Sequence, residues 1–368
     1  MNARKNVSHR WILCSGVLLL LLALSMIPFS DPAQAQDKKP QINFLLCPMG
    51  CGSIEGNQML GTVIAKRNLP FLLNAQETPG YIYNLREIAK NQPMWKNTIF
   101  STEDDVVAIA EHGGEPFVKD FWPEKITNKW KILYGEGVCT AGHAFLTLNP
   151  KIKSVADLKG KRIGLGLRTQ SCWGMNAAVN LWAGYGITAQ NTKFYYLGPA
   201  KATEELLNGK VDAIMSGFNT NYNQTTFNLP GNLRVLDASG REIYYLTPGP
   251  EVFDKVNKKL GSFTQVIQIK AGVLPKQKKA LTIGGDRTFN VADSSFPEEL
   301  AYQMVKAVAT VGPELKTSHS YWTIVTDLDM VNGLSEENTH PGAIRAFKEL
   351  GLWDLRKKFK PTEVAAFK

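Results

Sequence analysis

Apolar residues along this chain recur in two rhythms: short dense runs that suit buried strands, and three-to-four spacings that suit one face of a helix. Residues 42–46, Ile-Asn-Phe-Leu-Leu, read as a buried strand. A Gly-rich loop at 48–53 follows, then a helical stretch at 58–66 with Met59, Val63 and Ile64 on one side. The unit repeats with a strand at 71–74, the loop residues Gln76, Glu77 and Thr78, and a helix at 81–90 carrying Leu85, Ile88 and Ala89. It repeats again with a strand at 98–100, after which Ser101 and Thr102 precede Glu103, Asp104 and Asp105. A hydroxyl followed by carboxylates meets the free N–H groups that open a helix. Three strand–loop–helix units in series predict a parallel sheet with helices outside it, an α/β fold.

The same grammar returns in the middle of the chain. Strands are expected at 132–134 and 143–148, and Ser154 with Asp157 marks a helix start. A charged turn and strand occupy 159–166, a loop 169–174, a helix 175–185 and a strand 194–197. The next helix, 201–208, stops at Gly209, and 211–215 is a strand leading to a loop at 217–219. Further strands are expected at 234–237 and 265–269, and helices at 297–310 and 342–350.

The N-terminus adds an address. Arg4, Lys5 and Arg10 precede an apolar run from Trp11 to about Ile27, then Pro28, Pro32 and the triplet Ala33-Gln34-Ala35. That order is a secretory signal peptide with cleavage after Ala35, and its apolar run is marginal for spanning a bilayer. Cys14 has no small residue before it, which argues against a lipid-modified cysteine. The formal charge of +9 loses the segment's three basic residues and one acid, so the exported form carries 9 − 2 = +7. These charges are scattered and not interleaved with stacking aromatics, which excludes a nucleic-acid surface as the expectation. About 330 residues exceed one growing core, so a soluble exported protein of two domains is expected. Four cysteines remain, Cys47, Cys51, Cys139 and Cys172. An oxidising compartment favours two disulfides, with Cys47–Cys51 and Cys139–Cys172 the preferred of three pairings. Free thiols and a thiolate metal site stay open, although no second cysteine or histidine pair completes a zinc pattern.

Three stretches carry a family resemblance: 157–166 (Asp-Leu-Lys-Gly-Lys-Arg-Ile-Gly-Leu-Gly), 207–213 (Leu-Asn-Gly-Lys-Val-Asp-Ala), and 338–343 (Asn-Thr-His-Pro-Gly-Ala) followed by 348–351. From about Ile42 onward the chain resembles the TAXI-family solute receptors of TRAP transporters. The first two stretches also occur in ABC-type receptors for nitrate, sulfonates and pyrimidines. The resemblance implies a type II-like periplasmic binding protein of two α/β lobes with the ligand in the cleft. It implies a first lobe from 41–137 plus 238–368, a second from 138–237, crossing segments near Val138 and Leu236, and TRAP membrane subunits as partners. A monomer without a cofactor is expected. The chain departs from the family at the expected ligand positions, with Gly56-Asn-Gln58, Ser171-Cys-Trp173 and Gly217-Phe-Asn219.

In open α/β sheets ligands sit beyond the carboxyl ends of strands, where loops lead into helix N-termini. The loops that qualify nominate Ser53, Asn57, Gln76, Thr78, Ser101, Thr102, Thr169, Gln170, Ser171 and Trp173, with Asn219 and Tyr222 from a further loop. Arg168 offers a fork suited to a carboxylate. These hydroxyls and amides fix a small polar or anionic solute without proton chemistry; each also has an ordinary role as helix cap, surface polar group or lobe wall. No nucleophile elbow, phosphate loop or zinc-protease helix is present in the sequence, and Gly164-x-Gly166 lacks the rest of a dinucleotide fingerprint. Asp104 and Asp105 read as helix-start charges. No catalytic residue is assigned; thiol or metal chemistry at Cys47, Cys51 and Cys172 is the enzymatic alternative.

Overall fold

The computed structural model describes residues 39–49, 51–359 and 367. The expected signal segment, its cleavage site and Cys14 lie outside the described residues. No helix among the described residues is long and apolar enough to cross a membrane.

The N-terminal units form as their patterns demand: β1 (Gln41–Leu45), α1 (Gly52–Lys66), β2 (Leu72–Gln76), α2 (Tyr81–Lys90), β3 (Thr98–Glu103) and α3 (Asp104–Ala110). Strand β1 lies parallel to both β2 and β3. Strand β4 (Trp130–Cys139) then runs long, and the chain passes to a second sheet through β5 (Ala144–Thr147), β6 (Arg162–Leu165), α4 (Ala177–Tyr185), β7 (Lys193–Tyr196), α5 (Pro199–Leu207) and β8 (Ala213–Ser216). Strands β9 (Asn219–Thr220) and β10 (Phe227–Asn228) return to the first sheet, α6 (Gly231–Ala238) follows, and β11 (Tyr244–Leu246) rejoins the second. The chain closes with α7 (Pro250–Leu260), β12 (Gln265–Ile269), β13 (Leu281–Asp293), α8 (Glu298–Leu315), α9 (Asp327–Val331) and α10 (Pro341–Glu349).

The first sheet has the order β10-β9-β4-β13-β3-β1-β2, with β12 also on β13; the second is β11-β5-β8-β6-β7. Each keeps a parallel trio (β2-β1-β3 and β7-β6-β8) and adds antiparallel strands beside it. Each has its own apolar core. Phe44, Ile99, Trp130 and Val291 belong to the first, and Phe145, Ile163, Leu181 and Ile214 to the second. This is a two-lobed α/β architecture.

Several local expectations change. Residues 234–237 are the end of helix α6 rather than a strand, because Leu233 and Leu236, three apart, bury one face while Arg234, Val235 and Asp237 face solvent. The chain does cross between the sheets through α6, which holds Leu236, but there it runs back to the second sheet: Tyr244–Leu246 pairs with β5, beyond the expected 138–237 span. The loop 169–174 is largely a π-helical turn, Ser171–Asn176, and the loop 48–53 already begins helix α1 at Gly52. Strand β13, central to the first sheet, was not anticipated. Its Gly-Gly-Asp-Arg segment interrupts any apolar alternation, yet residues 283–293 are buried.

Candidate ligand-binding cleft

One cavity of about 680 Å³ is lined by both lobes. From the first lobe come the Cys47–Cys51 loop, Gly52, Ser53, Tyr81, Glu103, Glu136, Cys139 and Tyr321; from the second come Leu167, residues 170–173, the start of α5 and Leu207, with Asn228 and the start of α6 on a third side. Three helices thus open their N-termini onto it, those at Gly52, Pro199 and Gly231. Their free N–H groups suit oxygen acceptors. The walls are predominantly apolar carbon.

The floor is made of carboxyls. Glu103, the last residue of β3, is fully buried and accepts hydrogen bonds from Ser171 Oγ (2.8 Å) and Cys172 Sγ (2.6 Å). Burial, with the Cys172 and Asp105 charges next, pushes its carboxyl well above the usual range. Glu136, inside β4, is buried too; Tyr321 Oη donates to one oxygen and Asn57 Nδ2 to the other at 3.4 Å. Burial raises it against the lowering effect of those donors. Tyr321 is seated by Gly56: a Cβ there would lie 2.5 Å from the Tyr321 ring, so helix α1 packs flush on the aromatic.

Behind this floor sits a buried polar layer between the lobes. Asp286, opposite Cys139 in the β13–β4 register, meets His143 Nε2 at 2.5 Å and Asn176 Nδ2 at 2.8 Å. Asn180 Nδ2 lies 2.9 Å from His143 Nδ1. Asp104 accepts from Arg287 Nε at 2.9 Å, and burial still pushes its carboxyl up to about 6. Asp104 and Asp105 do stand in the first turn of α3, but they are fully buried rather than exposed helix-start charges.

Of the residues nominated from sequence, Ser53, Gln170, Ser171, Trp173 and Asn219 line the cavity. The others are placed elsewhere. Asn57 reaches Glu136 from behind, bonding Ser53 O at 3.0 Å as well. Gln76 pairs with Asn43 along the sheet. Thr78 bonds Leu46 O at 2.8 Å, and Ser101 bonds Asn290 Oδ1 at 2.5 Å. Thr102 is buried in β3 opposite Phe289. Arg168 is exposed, 3.6 Å from Asp120 and stacked over Tyr196, so it is not a cleft fork. Thr169 joins the lobes, its Oγ1 donating to Pro79 O at 2.9 Å. Tyr222 packs edge-on against Phe359. Asn57, Thr78 and Thr169 donate to backbone carbonyls, and Gln76 and Ser101 to neighbouring amide side chains, partners that strand ends and helix starts supply without a ligand. The carboxyl floor and the tyrosines were missed; a Glu flanked by strand residues carries no sequence sign of burial.

The cysteines divide. Cys47 and Cys51 form a disulfide, whereas Cys139 and Cys172 are free buried thiols, correcting the expected second bridge. Each of the two sits beside the Glu103 carboxyl; a hydrogen bond with Cys172 pulls Cys139 down, but burial and the Glu103 charge push it up to about 11, and burial pushes Cys172 up as well. Donor atoms of Glu103, Cys139 and Cys172 lie within 4.8 Å of one another, as do those of Asp104, Asp105 and Asp286. The second trio already has Arg287 and His143 against it. The first faces the cavity and has the sulfur-rich donor set that suits a thiophilic ion.

Two mixed α/β lobes share this cavity between them. Residues 139–351 match the model of the NMT1-like family, and the chain belongs to that family. Among solved structures it is similar to the alkanesulfonate-binding protein SsuA of Xanthomonas axonopodis pv. citri bound to MOPS, at 12% identity and a TM-score of 0.44, with 90% of this chain and 83% of that one covered. The aliphatic sulphonate binding protein SsuA of Escherichia coli matches at 13% identity and a TM-score of 0.38, over 89% and 82% of the two chains. A TctC solute binding protein from Polaromonas matches at 15% identity and a TM-score of 0.38, over 87% and 99%.

Proposed function

We propose that this chain is an exported receptor that captures one small polar solute between its lobes and hands it to a membrane transporter, the TRAP type being the preferred partner. The observation that carries the reading is the cavity of about 680 Å³ to which both lobes contribute wall and helix starts. A site built from two bodies closes when a solute contacts both, and the closed shape is what a transporter reads. The His340-Pro341-Gly342-Ala343 ending, which resembles the TAXI receptors more narrowly than the other two stretches do, supports TRAP over ABC partners, and the basic–apolar–small N-terminal order supports export to the periplasm. The donors around the floor satisfy fixed carboxyls, an arrangement for holding rather than for turnover.

The test is a thermal-shift screen of the exported chain, stripped of bound solute by unfolding and refolding, against amines, amino acids, carboxylates and sulfonates. One chemical class raises the melting temperature by ligand linkage, about 3 kcal/mol at a hundredfold excess over Kd. No response to any class, beside a measurable turnover, overturns the reading. Uptake into vesicles holding either TRAP or ABC membrane subunits decides the partner.

A second reading has its own observation: the Glu103, Cys139 and Cys172 donors clustered on the cavity wall. On it, the chain holds a thiophilic divalent ion. Titration with Cd²⁺, followed by thiolate charge-transfer absorption, checks this; no band at stoichiometric metal removes it.

A further inference from the structure

We infer that the solute carries a protonated nitrogen on an apolar body, and that Glu103 and Glu136 on the cavity floor receive the nitrogen. The inference rests on the receptor reading above and names its substrate class. Four residues lining the cavity carry ordinary acid or base charges: Glu103, Glu136, Glu204 and Lys201. The Lys201 ammonium is exposed at the rim and already spans Glu204 at 2.8 Å and Glu205 at 2.9 Å. The guanidiniums nearby are committed outside the lining, Arg168 to Asp120 and Arg287 to Asp104. An anionic solute could face the three helix starts at the cavity edge, but it would also meet two buried carboxyls and no side-chain cation dedicated to it.

The donors point the same way. Ser171 and Cys172 give their hydrogens to Glu103, and Tyr321 and Asn57 give theirs to Glu136. Each carboxyl is held in place, yet neither has a counter-charge. The ionisable neighbours of Glu103 are Cys172, Cys139, Tyr81, Asp105 and Asp286, and those of Glu136 are Tyr321, Tyr81 and Tyr134. All of them are acids. A cationic head supplies the missing charge where water is scarce and the attraction is strong. Leu167, Leu197, Leu207, Val235, Ile324 and Trp173 then offer apolar wall to the rest of the molecule. A cavity of about 680 Å³ is far larger than an ammonium or metal ion needs, so an organic amine fits it better than a bare cation.

Proton linkage makes the inference testable without knowing the natural solute. In the empty cleft, burial holds the Glu136 carboxyl toward its neutral form. A bound cation favours its ionised form, so binding expels protons and tightens as pH rises; an anion would take protons up and weaken. The experiment is calorimetry of the stripped wild-type chain with hexylamine and 6-aminohexanoate against hexanoate and hexanesulfonate. It is run at pH 6 and pH 8, in two buffers of different ionisation enthalpy. Expected are binding of the amines, proton release, and up to tenfold tighter Kd per pH unit for each proton released. Glu103→Gln and Glu136→Gln should each weaken the amines tenfold or more. Binding of the anions alone, amine binding with proton uptake or no pH dependence, or amine affinity unchanged in both variants overturns the inference and leaves the receptor reading standing. Silence from all four probes and from the wider screen removes both. If a variant does not fold, the wild-type proton count still decides.

Discussion

Cys139 and Cys172 show how far a residue's chemistry depends on what surrounds it. Both were legible as export-compatible cysteines, but their partner was not, because spacing says nothing of the carboxyl that β3 places between the lobes. With its thiol pushed up to about 11, Cys139 is almost wholly protonated at neutral pH, and Cys172 is raised as well. Since only the thiolate reacts, native alkylation by iodoacetamide at pH 8 should run on the order of 10²-fold slower than at an exposed cysteine. Both should label rapidly once the chain is unfolded, while Cys47 and Cys51 label only after reduction. Peptide mass mapping reads each site; fast native labelling at Cys139 would refute the acid-lined environment. The same logic explains the misplaced site residues. Hydroxyl and amide side chains at strand ends are recognisable in sequence, but whether they face a ligand or the nearest carbonyl is decided by a fraction of a turn.

Elements were more legible than their contacts. The helix at 81–90 falls on its expected bounds because Tyr81, Ile82, Leu85 and Ile88 make one unbroken buried face. The strands at 42–46 and 265–269 follow from simple apolar pattern. Strand β13 defeats that pattern because its middle serves the interlobe layer: Asp286 and Arg287 are buried against partners from other elements, a tertiary reason absent from local sequence. One contact between elements is testable by a single methyl. Gly80, at the start of α2, has φ +137°, and a Cβ there would lie 2.4 Å from Thr169 O of the second lobe. That carbonyl also accepts from Ile82 N at 3.2 Å. Gly80→Ala should cost about 1–3 kcal/mol through backbone strain and forced separation of the two loops. Because Gly80 and Gln170 both border the cavity, solute affinity should fall with stability. Chemical denaturation and calorimetry on the variant check the pair; unchanged values in both would mean the loops do not hold the lobes together.

For the whole molecule, the distribution of buried acids sets how stability follows pH. Glu103, Asp104, Asp105, Glu136 and Asp329 all titrate above their ordinary values, first because burial penalises the charged form. Asp104 and Asp329 are each pushed from 3.8 to about 6. An acid whose folded pKa is raised binds its proton more tightly in the native state. Its contribution is therefore complete below the unfolded pKa, near 4, and is lost as pH rises through about 6. Between pH 7 and pH 5 each such carboxyl should add about 1 kcal/mol. His340 opposes this: burial lowers its pKa, so acid favours the unfolded chain there. One imidazole stands against five carboxyls, so the melting temperature should climb as pH falls from 7 to 5. It should turn down below about 4, where surface carboxylates held low by cations, such as Asp212 beside Arg162, begin to protonate. Glu136→Gln should flatten the pH 5–7 slope by that carboxyl's share, since an amide is neutral throughout. A saturating amine should flatten it too, because the ligand replaces the protons on the floor. Scanning calorimetry across pH 4–8, with and without hexylamine, measures both effects. A melting temperature that falls steadily from pH 7 to pH 5 would mean these acids enter the fold already ionised and paired, and the cleft floor would then have no vacancy for a cation to fill.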